Sequence, residues 1–285
     1  MTTTTTPRPA ARTSAPRMPG LTRLAWARTR YEVTAFFRER EAVVFVFAYP
    51  VIMLAIFATV FGSDEELLPG SGVHFPQYFL PGMVATGVVL SSFQNLATFI
   101  AAERDDGTLK RLRATPLPAS AYFLGKTGQV LLTAGVQTAL LLTVAGVVYD
   151  VPLPDDAGRW WTFAWVFVLG TATGAVCGVA FSSLPRSGRS TSAVVVPIVL
   201  VLQFVSGVFF RFDELPGWMQ QVAGVFPLKW IAQGMRSVFL PEGAAALEPS
   251  GSWQHGATAV VLAVWLVGAL VVGVRTFRWR RRDDG

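Results

Sequence analysis

Six long apolar runs, at residues 43–62, 79–101, 122–148, 160–181, 193–210 and 257–274, limit what this chain can fold into. About 20 residues of α-helix, at ~1.5 Å each, cross the ~30 Å hydrocarbon core of a bilayer. Water is absent there, so each segment must satisfy its own backbone N–H and C=O groups, which an isolated helix does. Composition points the same way: 52% of the 285 residues are hydrophobic and 15% charged, too little polar surface for an ordinary soluble domain. The expected architecture is an all-α polytopic membrane protein with six transmembrane helices.

Six crossings put both ends of the chain on one side. With the N and C termini cytoplasmic, the inner segments hold 20 Lys and Arg against 8 acids, and the outer segments 4 against 10. That asymmetry follows the positive-inside rule, and a seventh crossing would carry the Arg-rich stretch 275–282 outside. The net charge of +6 is spread along membrane flanks and not gathered on one soluble face, which argues against nucleic acid as a partner. A cell-membrane location, with lipid as the surroundings, is expected.

The segments around the spans divide by composition. Residues 1–20, rich in Thr, Pro, Ala and Arg, lack an apolar core and read as a disordered tail without a secretory signal. Residues 21–42 interleave Leu24, Trp26, Tyr31, Phe36 and Phe37 with Arg23, Arg28, Arg30, Arg38 and Arg40. They suit an amphipathic interfacial helix connecting to the six-span domain, 43–277, and serve equally as a topogenic flank. Residues 278–285 form a basic cytoplasmic tail. Between spans five and six, Trp218 to Leu240 has the length of a span but contains Pro227, Lys229 and Arg236. Each Lys or Arg at a helix centre costs about 2.5–3.5 kcal/mol on insertion, so short exofacial or re-entrant helices broken near Phe226 and Pro227 are expected instead.

Two spans carry internal signals. Gly170, Gly174 and Gly178 recur every four residues in the fourth, a face that admits close helix approach within the chain or between subunits. The second carries Ser91, Ser92, Gln94 and Asn95 at mid-membrane, where polar groups must face protein or a cavity. Phe93, Gln94 and Asn95, with Gln203 of span five, are candidate substrate-path residues; the same polar groups can instead act as interhelical glue.

The loop 103–118, reading ERDDGTLKRLRATPLP, is the most polar run between two spans. Gly107 and Thr108 supply a break and an N-cap, and Leu109 and Leu112 share one face. Asp105 and Asp106 precede Lys110, Arg111 and Arg113, the charge order a helix macrodipole favours, and Pro116 pushes Thr115 out of the helical region. A short amphipathic helix ending near Ala114 is expected, too short to be stable alone and suited to a partner's groove.

This loop, with Gly125 and Lys126 at the head of the next span, resembles the loop after the second span in type-2 ABC exporter permeases, particularly the drug and natural-product efflux branch that includes the anthracycline-resistance permeases. The resemblance implies that Glu103, Arg104, Asp105, Asp106, Gly107, Thr108, Leu109, Lys110, Arg111, Leu112, Arg113, Thr115, Pro116 and Leu117 form a coupling helix against an ATP-binding subunit. The family loop has Glu-x-Gly where this chain has Asp105-Asp106-Gly107. Leu109 and Leu112 would supply the buried face. The resemblance further implies two ATP-binding subunits holding ATP and magnesium, a second permease copy that is identical or a paralogue, and a pathway near spans one, two and five. The cargo would be an amphipathic small molecule or lipid; polysaccharide or polyol-phosphate export uses the same architecture.

Energy-supplying chemistry is not legible in the sequence. Gly125-Lys126-Thr127 imitates the end of a Walker A loop, but Ser120 stands at the required first glycine and the segment enters a membrane helix. Lys126 is expected to snorkel to the inner headgroups. His74 and His255 lie in separate outer loops without metal-ligand spacing, no serine sits in a Gly-x-Ser-x-Gly elbow, and Cys177 has no second cysteine to pair with. A permease with no cofactor, metal or catalytic residue of its own is expected; an ATP-independent secondary transporter is disfavoured by the lack of Asp, Glu or Arg in the middle of a span.

Overall fold

The computed structural model describes residues 19–62, 66–67, 72–185 and 187–277. The tail through residue 18, Asp64 and Glu65 after the first apolar run, Arg186 and the basic tail 278–285 lie outside the described residues. Within them the chain is helical, with an isolated bridge between Glu66 and His74 as its only extended pairing.

Six helices are long and apolar enough to cross a membrane. They are α2 (Arg40–Phe61), the continuous helix 75–105, α6 (Ala119–Val148), α7 (Ala157–Phe181), α8 (Gly188–Val205) and α11 (His255–Thr276). The second is built from α3 (Phe75–Val89), one π-helical turn (Leu90–Gln94) and α4 (Asn95–Asp105). Shorter elements are α1 (Leu21–Arg38), α5 (Thr108–Arg113), α9 (Gly217–Val225) and α10 (Pro227–Phe239). The break between the last two falls at Phe226, whose extended backbone precedes Pro227, as proline requires of its neighbour.

Span five sits earlier than its apolar run suggests. Ser187 and Ser190 close a reciprocal capping box, which starts α8 at Gly188. Its end is set by Gly207, in left-handed backbone at φ +70°, so the apolar residues Val208, Phe209 and Phe210 lie beyond the helix.

The helix α3 is the centre of the bundle. Every residue from Pro76 to Val89 is buried, and α2, α6, α7 and α10 surround it. Lipid tails are as apolar as leucine, so van der Waals fit and not removal from water drives this packing. The glycines of α7 provide that fit inside the chain. A Cβ at Gly170 would lie 3.0 Å from Ile231 of α10, one at Gly174 would collide with Ser92 Oγ, and one at Gly178 would lie 2.8 Å from the Phe93 carbonyl. The glycine face therefore receives α10 at Gly170 and the π turn at Gly174 and Gly178.

The first helix differs from a simple headgroup float. One face of α1 lies along α6, with Arg28 over Gly125 and Thr29 over Gly128, and buries Thr29, Glu32 and Phe36. The opposite side leaves Trp26 and Tyr31 exposed, the pattern of an amphipathic helix shared between protein and surroundings.

Candidate functional site

Three consecutive residues at the start of the polar loop tie it to three parts of the bundle. Glu103, at the end of α4, accepts from Tyr122 Oη at 2.7 Å and from Lys126 Nζ at 2.6 Å. Arg104 is buried and donates to the Ser182 carbonyl at 2.5 Å and to Ser183 Oγ at 3.3 Å, gripping the turn between α7 and α8. Asp105 accepts from the Gly188 N–H at 2.6 Å, at the first turn of α8, where a carboxylate is favoured.

The next two residues form the bend. Asp106 Oδ1 accepts from the Thr108 N–H at 2.8 Å, and Gly107 takes φ +77°, a conformation that costs other L-residues about 1–2 kcal/mol. From there α5 runs to Arg113, with Ala114 as its C-cap, and the Thr115 hydroxyl closes the end on the Leu112 carbonyl at 2.6 Å. Lys110, Arg111, Arg113, Thr115 and Pro116 are exposed; Leu112 and Leu117 are half-buried.

Two sequence expectations are corrected here. Leu109, expected to face a partner's groove, is fully buried in the chain's own cluster with Leu96, Ile100, Tyr122, Val130 and Ala175. It holds α5 onto the bundle, and the exposed side of α5 is the basic one. Lys126, expected to snorkel, is instead buried, with Nζ at 2.8 Å from Glu32 and 2.6 Å from Glu103. The reason is α1, which covers that part of α6 and carries Glu32, itself paired with Arg28 one turn earlier. A single glutamate among the arginines of residues 21–38, spaced four from Arg28, was the available signal for this node.

The four candidate path residues do not converge on one surface. Phe93 edges onto Phe181 at 5.7 Å and lines an apolar cavity of about 560 Å³ among α7, α8, α10 and α11. Gln203 turns to α2, its Oε1 accepting from Tyr49 Oη at 2.9 Å. Asn95 is buried with Nδ2 unpartnered among the described residues, as are Ser91 Oγ and both amide atoms of Gln137. Gln94 is half-buried in the π turn, an element frequent at functional sites.

Between spans five and six, α10 carries the charges that argued against a seventh span, on one of the short helices expected there. Arg236 is fully buried, with Nε at 2.7 Å from Glu248 Oε1 and Nη1 on the Gly207 carbonyl at 3.1 Å. Lys229, also buried, bonds Gln233 and lies 3.8 Å from the centre of the Trp230 ring. Burial lowers its pKa to about 8; Glu248 opposes that shift and Arg236 adds to it.

The amino-acid sequence matches a known family. The ABC-2 type transporter family matches residues 23–240, most of the chain. The chain belongs to the ABC-2 type transporter family. This ABC-2 permease is 22% identical over 193 residues to the inner membrane transport permease YadH of Escherichia coli, covering 67% of the chain and 74% of YadH. It is 26% identical over 229 residues to the daunorubicin resistance ABC transporter permease protein DrrB1 of Streptomyces coeruleorubidus, covering 75% of the chain and 71% of the relative. With the probable multidrug ABC transporter permease YbhR of Escherichia coli it shares 21% over 176 residues, 62% of the chain and 47% of that longer protein. The ABC-2 permease is thus a multi-pass transmembrane subunit of a transporter class that works with ATP-binding subunits.

Proposed function

We propose that this permease is the membrane subunit of an ATP-driven exporter of an amphipathic small molecule or lipid, coupled to its ATPase through residues 103–118. The observation that carries the reading is the mounting of α5: a short exposed basic helix, held by Leu109 and joined through Glu103, Arg104 and Asp105 to α1, α6 and both ends of the α7–α8 turn. A force applied to α5 reaches several spans at once without first melting a loop. The working unit is two permeases with two ATP-binding subunits, each holding ATP and magnesium, and both termini of the permease lie on the cytoplasmic side with α5. ATP binding draws the two ATPases together, α5 moves with its partner, and the attached helices switch access as rigid bodies.

The cargo class is supported by the apolar cavity beside Phe93 and by the drug-resistance names of DrrB1 and YbhR. Purification of the chain from its native membrane in mild detergent, followed by mass spectrometry, tests the reading. Co-purification of a P-loop ATPase, and ATP-dependent movement of an amphipathic dye by the reconstituted complex, are expected. Absence of any ATPase after crosslinking would overturn it.

A further inference from the structure

A stripe of polar side chains runs along one face of α6. Lys126, Gln129, Thr133 and Gln137 recur three or four residues apart, and all are buried. On the second span, Gly87, Ser91, Asn95 and Glu103 recur in multiples of four. Two contacts set these faces against each other. The Gln137 amide lies on Gly87, where a Cβ would collide with it, and Glu103 accepts from Tyr122 Oη at 2.7 Å. The helices run antiparallel between those contacts, which brings Ser91 level with Thr133 and Asn95 level with Gln129.

Polar atoms along this seam outnumber the partners the protein offers them. Thr86 Oγ1, Ser91 Oγ, Asn95 Nδ2, Thr138 Oγ1 and both amide atoms of Gln137 are buried without a hydrogen-bond partner among the described residues. Gln129 and Thr133 bond to each other within α6. Leaving so many polar atoms unpaired away from bulk water is costly.

We infer that this seam is a binding site for a short chain of water molecules, which join span two to span three in place of direct side-chain bonds. The unpartnered set holds amide N–H donors, an amide carbonyl acceptor and three hydroxyls. Water both donates and accepts, and a buried water typically makes about three such bonds. The amide N–H groups of Asn95 and Gln137 disfavour a cation, and no Lys or Arg lies between residues 86 and 95 or 129 and 138 to attract an anion. At Gly87 the helices meet as closely as a glycine permits, which leaves room on the scale of water and not of an organic cargo. A bridging water can change partners, so either helix can shift without stranding a polar group.

The site stands apart from the export reading, and its test needs no ATPase. The full-length permease in lipid nanodiscs is exposed to millisecond X-ray radiolysis, which oxidises side chains beside bound water. Oxidation of Leu90 and Leu141, which flank Ser91 and Gln137, is expected to exceed that of Leu262, also buried but on α11, several-fold. Gln137→Met keeps the side-chain length and removes the amide. It is expected to abolish the excess oxidation and to lower the thermal unfolding midpoint, because the waters lose their anchor. Replacing an amide that was merely unpaired would instead raise the midpoint. No excess oxidation in the wild type, with a more stable Gln137→Met, would show a dry seam and overturn the site. No excess oxidation with a less stable Gln137→Met would show direct side-chain bonds and overturn it equally. Excess oxidation that persists in Gln137→Met would place the water elsewhere and overturn this assignment. Where Gln137→Met does not fold, Ser91→Ala carries the same comparison.

Discussion

Lys126 Nζ stands between two carboxylates, 2.6 Å from Glu103 at the start of the polar loop and 2.8 Å from Glu32 on the first helix. One ammonium thereby joins α1, the end of α4 and the head of α6, and none of these contacts is well exposed.

Removing one member leaves the remaining buried charges imperfectly compensated, since Lys126 keeps Glu103 and Glu32 keeps Arg28, so the loss should fall below the about 3–5 kcal/mol of a fully broken buried pair. Glu32→Gln and Lys126→Met are each expected to lower the thermal unfolding midpoint of the detergent-purified permease by several degrees. The double variant should lose less than the sum of the two, since the groups act on each other. Additive losses would show that the two residues stabilise the chain independently.

Within the polar loop, mounting and docking residues should separate. Leu109→Ala removes a fully buried side chain and is expected to destabilise the permease by about 2–5 kcal/mol. Arg111→Glu with Arg113→Glu should leave the melting curve unchanged and weaken ATP-binding-subunit association roughly tenfold or more, with the largest loss at low salt. Fluorescence melting and a salt series of binding measurements distinguish the two behaviours. Equal binding by the charge-reversed variant would remove α5 from the interface.

Gly178 and Gly268 make a matched pair. A Cβ at Gly178 would meet the Phe93 carbonyl at 2.8 Å, backbone that cannot swing away, whereas Gly268 has nothing within 4 Å. Gly178→Ala is expected to cost about 1–3 kcal/mol, and Gly268→Ala to be neutral or slightly stabilising. Similar melting points for both would mean that α7 is not seated on the π turn.

Lys229 sets a pH dependence at α10. Its folded pKa of about 8 lies below the ordinary lysine value, so between about pH 8 and 10 the unfolded chain binds more protons than the folded one. Stability attributable to this group therefore rises with pH across that window and is lowest where the ammonium is charged, below pH 8. Lys229→Met should abolish that rise and stabilise the protein at pH 7. Melting curves of wild type and variant from pH 7 to 10, compared as differences, check it; parallel curves would count against the assignment.

The spans were legible because lipid imposes a simple rule on long apolar runs, and the break at Phe226 and Pro227 because proline restricts its neighbour locally. The glycine face of α7 was legible as a close approach, though not what would approach it: a π turn is a backbone irregularity, and Ser91 to Asn95 reads only as a polar run. Leu109 and Lys126 were misread for a shared reason. Their surroundings come from elements distant in sequence, Glu32 on α1 and the cluster around Ile100 and Val130, which local pattern does not report. Arg236 was placed on a short helix because its charge disfavours a span, but its full burial was not legible, since the carboxylate that permits it, Glu248, lies on a separate irregular segment.

The unbroken helix 75–105 has a mechanical consequence. At ~1.5 Å per residue its 31 residues make a rod of roughly 46 Å, buried along its N-terminal half and gripped at its C-terminal tip by Tyr122, Ser182 and Gly188. Tilting a rod of that length by about 5° swings the far tip by about 4 Å, close to the diameter of a methyl group. On the export reading proposed above, a displacement too small to rearrange any single contact at the Asp105 tip would be magnified at the opposite end, making the helix a lever whose gearing is set by its length.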